Sequence, residues 1–165
     1  MSRLRIENVA IALGALSLLL IMGALGFQYL ARLPPCEMCM WQRYPHVLSS
    51  IVGLIGGSAV ATGLLDRSLG RPIAILTALL VAISGAIAVY HAGVEWHWWK
   101  GPSACTSTGL VHITGSIDFN APVVMCDRAA WRMFGLSLAG YNAIISLVAA
   151  AIGFFLIARA GGKRV

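Results

Sequence analysis

Charge is what this sequence has least of. Only 11% of its 165 residues are charged, and Asp and Glu together number six. A soluble domain typically carries about 25% charged residues, so this chain has too few to clothe a water-facing surface. With 59% hydrophobic residues and a mean hydropathy of +0.83, lipid is its natural solvent. Basic runs interleaved with aromatics are missing too. The 12 Lys and Arg residues are scattered singly or in small groups, which excludes a nucleic-acid-binding surface. The first apolar stretch shows no small-x-small cleavage site followed by a polar start. It is therefore expected to be a retained helix rather than a cleaved signal.

What the chain does have is long apolar runs. A bilayer core needs about 20 mostly apolar residues per helix, and four stretches qualify: about 9–30, 44–65, 72–91 and 140–158. The expected fold is an all-α membrane protein, a bundle of four transmembrane helices forming one domain over 1–165. A turn at 66–71 joins the second and third spans. Loops at about 31–43 and 92–139 lie on the opposite side from the termini.

Basic residues orient the bundle. The termini and the 66–71 turn carry Arg3, Arg5, Arg67, Arg71, Arg159, Lys163 and Arg164. The other side carries Arg32, Arg43, Lys100, Arg128 and Arg132, mostly diluted in a long loop. Short basic flanks stay in the cytoplasm, so both termini are expected there. All four cysteines then face outward, where disulfides persist.

The first two cysteines form Cys36-Glu-Met-Cys39, preceded by Pro35. A CxxC that opens a helix brings two thiols within bridging distance. A helix N-terminus also lowers thiol pKa through free N–H groups and the positive end of the dipole. Arg43 lies four residues after Cys39, on the same face if the stretch is helical. There it can stabilise a Cys39 thiolate or donate to an electron-rich oxygen such as a quinone carbonyl. The bland reading of Arg43 is a snorkelling anchor. Pro45 is expected to kink the helix or to part the redox turn from the main span. Two other uses of the CxxC are half of a zinc site and an inert disulfide. Zinc needs two further ligands, and no second CxxC supplies them.

Cys105 and Cys126 flank a 20-residue stretch, Thr106 to Met125, which suits a short amphipathic helix or turn on the membrane surface. A disulfide between them would be exposed and exchangeable, or a loop staple. Trp96, Trp98 and Trp99 suit a membrane interface. His91, at the outer end of the third span, is placed to bind a polar headgroup or to sit satisfied at the interface.

These residues in combination resemble the disulfide bond formation protein B (DsbB) family. The resemblance rests on Pro35-Cys36-x-x-Cys39-x-x-x-Arg43, on Tyr90-His91-x-Gly93-Val94-Glu95, and on Cys105 and Cys126 in a long second outer loop. It covers the whole chain, and it implies a quinone-dependent thiol oxidase of the bacterial inner membrane. Cys105 would be attacked by a reduced periplasmic thioredoxin-fold oxidase of the DsbA type, with Cys126 as its pair partner. Electrons would pass to Cys36–Cys39, and Cys39 would be the thiolate beside the quinone, ubiquinone or menaquinone. Arg43 would contact the quinone, and His91 matches a histidine tied to quinone reactivity. No metal is implied. Between Cys105 and Cys126 no residue-level match is found.

Two other classes compete. A quinone reductase of the vitamin K epoxide reductase type also has four helices and a CxxC, but there the motif would lie near the fourth span. A non-enzymatic chaperone or metal-binding membrane subunit would use its cysteines only as staples.

Overall fold

The structure is a computed structural model that describes residues 5–106 and 124–161. Four helices are long and apolar enough to cross a membrane: Ile6–Tyr29, Glu37–Ala61, Arg67–Glu95 and Leu138–Ala160. We label the regular elements α1 (Ile6–Tyr29), α2 (Glu37–Ile51), α3 (Gly57–Ala61), α4 (Gly70–Glu95) and α5 (Leu138–Gly161). A π-helical turn, Val52–Gly56, joins α2 to α3 without a break, and a 3₁₀ turn, Arg67–Leu69, leads into α4. Two two-residue strands, β1 (Arg132–Met133) and β2 (Leu136–Ser137), pair antiparallel just before α5.

The helical boundaries differ from expectation at the outer ends. The second helix starts at Glu37 rather than near Tyr44, so the CxxC is its first turn and not a loop. Pro45 lies inside α2 and does not part the redox turn from the span. The third helix runs past His91 to Glu95. In both places the extra turns carry Gln42, Arg43 or Glu95, which weaken an apolar-run signal. Those side chains find partners inside the bundle instead.

Three layers stack along the bundle. Near the termini the core is Val9, Ala10, Leu13, Ala74, Ala78, Val81, Ala150 and Ile157. The alanines let helices approach closely, as small residues do in membranes. Gly14 and Gly53 carry this furthest. A Cβ on Gly14 would stand 2.8 Å from the Leu54 backbone nitrogen, and one on Gly53 would stand 2.9 Å from Gly14 Cα. The middle layer is polar, with Ser17, His46, Ser49, Thr77, Ser84 and Ser146 all buried. The outer layer is a sulfur cluster of Cys36, Met38, Val94, Cys105 and Cys126. Large apolar side chains such as Leu19, Met22, Ile55 and Phe155 cover the outside, as a lipid-facing surface requires.

Candidate functional site

Cys36 is the N-cap of α2, and its sulfur accepts from the Cys39 backbone N–H at 3.1 Å. Pro34 and Pro35 hold the entering chain extended, since a residue before proline avoids helical geometry. Cys36 and Cys39 are joined as a disulfide, and so are Cys105 and Cys126. The second disulfide was expected to be exposed. Instead both of its cysteines are buried, Cys126 fully, because they pack in one cluster with Cys36 and Val94. The expected surface helix or turn between them falls mainly on residues 107–123, outside the described residues.

His91 sits where the two pairs meet. Its Nε2 is 3.6 Å from Cys36 Sγ and 3.6 Å from Glu95 Oε1. Its Nδ1 is 2.8 Å from Gln42 Nε2, and the Cys126 backbone is a further partner of the ring. His91 is only 3% exposed, a buried neighbour of the Cys36 sulfur.

Arg43 projects toward α1. One guanidinium nitrogen donates to Gln28 Oε1 and another to the Ala24 carbonyl at 3.4 Å. It shares with Cys39 a cavity of about 420 Å³ that is also lined by Cys36, His91 and Asn142. The cavity runs from Leu19, which is 69% exposed, to the buried Cys36, so it connects the lipid-facing surface to the inner disulfide. Phe27, Trp131 and Tyr141 line it as an aromatic wall, with ring centroids 5.1 and 6.3 Å apart. An apolar cleft with a few converging polar groups is the usual form of a cofactor site. Arg43 and the aromatic wall suit a lipid-soluble ring that bears carbonyl oxygens.

The ligand atoms of Cys36, Cys39 and His91 lie within 4.8 Å of one another, a possible set for a thiophilic cation. With the two sulfurs bonded to each other, they offer no thiolate to a metal.

Sequence reasoning did not single out Gln42, His46 or Asn142, which border or support the site. The available signal was their polarity within otherwise apolar spans, where such residues mark function by default.

Fold and site together define a multi-pass membrane thiol–disulfide protein with two adjoining disulfides. The chain belongs to the family described as "Disulfide bond formation protein DsbB", which matches residues 6–156. It is therefore a disulfide oxidoreductase by family. Among similar proteins is "Disulfide bond formation protein B" of Polaromonas sp. (strain JS666 / ATCC BAA-500). It is 29% identical over 154 residues, covering 88% of this chain and 86% of that one. The protein of the same name from Burkholderia thailandensis is 27% identical over 169 residues, 97% and 95% of the two chains. That from Alkalilimnicola ehrlichii is 49% identical over 53 residues, 32% of each. No solved structure matches the chain.

Proposed function

We propose that this protein reoxidises a DsbA-like periplasmic dithiol oxidase and passes the electrons to membrane quinone, which sustains disulfide formation outside the bacterial inner membrane. The observation that carries the reading is the shared cluster: the outer disulfide adjoins the inner one, and the inner one borders the apolar cavity with Arg43. Similarity to proteins named for disulfide bond formation supports it. Both termini are cytoplasmic in this reading, because the short basic flanks lie there.

The exchange runs as two linked thiol–disulfide steps. A substrate thiolate attacks the Cys105 sulfur, forming a mixed disulfide and releasing Cys126 as a thiolate. The second substrate thiol resolves the mixed disulfide, leaving the substrate oxidised and Cys105 and Cys126 as thiols. This pair then reduces Cys36–Cys39 by the same chemistry, recovering its own disulfide. Two electrons and two protons thus arrive at Cys36 and Cys39. A quinone held in the cavity would supply the two-electron acceptor for returning this pair to a disulfide, with hydroquinone as the product. Arg43 would hold its carbonyl oxygen there, and Cys39, which lines the same cavity, would be the sulfur on the acceptor side, while His91 hydrogen-bonds Cys36.

The test uses purified protein, ubiquinone and a reduced periplasmic thioredoxin-fold dithiol. Quinone absorbance falls with wild type and not with Cys39→Ser. No quinone reduction by wild type, or unchanged activity in Cys39→Ser, overturns the proposal. Equimolar zinc retained through purification favours the metal-binding alternative.

A further inference from the structure

The buried polar layer has a hydrogen-bonding direction that ends on the inner disulfide. Asn142 Oδ1 accepts from Ser146 Oγ at 2.7 Å and faces His46 Nε2 at 3.0 Å. An amide oxygen only accepts, so His46 presents Nε2–H to it. The two protons of Asn142 Nδ2 go to Gln42 Oε1 at 2.9 Å and Ser84 Oγ at 3.3 Å. Gln42 Oε1 is thereby the accepting end, and its Nε2 points the other way. That nitrogen donates to the Met38 carbonyl at 3.2 Å and to His91 Nδ1 at 2.8 Å.

Turning the Gln42 amide over would set its NH₂ against the NH₂ of Asn142. It would also set Oε1 against the Met38 carbonyl, which accepts from Nε2, so the Gln42 amide is held at both ends. The protonated nitrogen of a neutral imidazole is set by the bond its other nitrogen makes. Because Nδ1 accepts, His91 carries its proton on Nε2. The groups beside Nε2 are acceptors, Cys36 Sγ and Glu95 Oε1, and the Cys126 backbone also accepts from the ring.

We propose that Gln42, on α2 and held by the Met38 carbonyl and by Asn142 of α5, is a positioning residue that keeps His91 on α4 in the tautomer whose Nε2–H faces the Cys36 sulfur. The consequence falls on the reduced pair. An N–H aimed at Cys36 joins the Cys39 backbone N–H in favouring charge on that sulfur. Other charged groups border the same region. Glu95 accepts from Ser137 and lies near Arg132, while Arg43 and Arg128 line the cavity. None of them donates to His91 Nδ1 among the described contacts, so the tautomer rests on Gln42. The inference needs Cys36 to be a redox sulfur, as proposed above, but needs no quinone.

The experiment is ¹⁵N spectroscopy of histidine-labelled full-length protein in lipid nanodiscs, without quinone or thiol substrate. The His91 signals are assigned by their loss in His91→Asn. Wild type shows a protonated Nε2 and an accepting Nδ1. Gln42→Leu removes the donor to Nδ1, so the Nδ1-protonated form appears, and alkylation of Cys36 in the anaerobically reduced protein slows several-fold. Gln42→Met, closer to glutamine in volume and also without a donor, gives the same two changes, which keeps the test open if Gln42→Leu does not fold. A protonated Nδ1 in wild type overturns the proposal. So do variants that lose thermal stability but keep the wild-type tautomer and alkylation rate, since that is the signature of a merely structural role. Failure of the quinone assay above would leave these spectra untouched, so the two proposals fail separately.

Discussion

His91 Nε2 stands 3.6 Å from the Cys36 sulfur, across the interface of α4 and α2. The same ring reaches the Cys126 backbone, so one side chain joins both disulfides. A histidine buried among sulfurs in a membrane protein is costly unless each ring nitrogen is satisfied, and here each has a partner.

Removing that ring is the first prediction. His91→Ala leaves one Gln42 Nε2 proton without its acceptor and Cys36 without its side-chain donor. An orphaned buried polar group costs about 1–3 kcal/mol, so the thermal midpoint in detergent falls. Dithiol oxidation falls as well. Wild-type turnover in this variant would remove His91 from the reaction.

Arg43→Ala separates cavity from cysteines. Arg43 lines the cavity and ties α2 to α1 through Gln28 and the Ala24 carbonyl, while the hydrogen bonds at Cys36 go to Cys39 N–H and His91. The apparent KM for quinone therefore rises more than the KM for the dithiol protein. Steady-state kinetics with each substrate varied in turn reads this directly, and equal changes in both would count against the cavity as the quinone site.

Gly53→Ala tests the packing that sets the bundle. Its Cβ would press on α1 at Gly14, backbone against backbone. Overpacking of this kind costs about 1–3 kcal/mol, and the atoms met, from Ala10 and Gly14, are all backbone. Thermal unfolding in detergent should show the loss, whereas Gly23→Ala, with nothing within 4 Å, should be neutral.

The spans were legible because length and hydropathy alone define them. The CxxC at a helix start was legible because Pro35 and the cysteine spacing are local. The helix ends were not, since Glu37 to Arg43 reads as a polar loop until the bundle supplies partners for Gln42 and Arg43. The polar layer was hidden for a different reason. Asn142 and Gln42 are 100 residues apart, and only the packing of α5 on α2 and α4 brings them together. The hairpin before α5 has two residues per strand, too few for any alternation to show. The burial of Cys126 depends on its meeting Cys36 and Val94, which no local pattern records.

The central claim is that electrons entering at the outer disulfide leave through the inner one to quinone. The most direct measurement counts both products anaerobically, with purified protein, a reduced thioredoxin-fold dithiol and excess ubiquinone. One hydroquinone forms for each substrate disulfide made, and Cys36→Ser stops both. Substrate disulfides formed without matching hydroquinone, or hydroquinone formed by Cys36→Ser at the wild-type rate, would contradict the account.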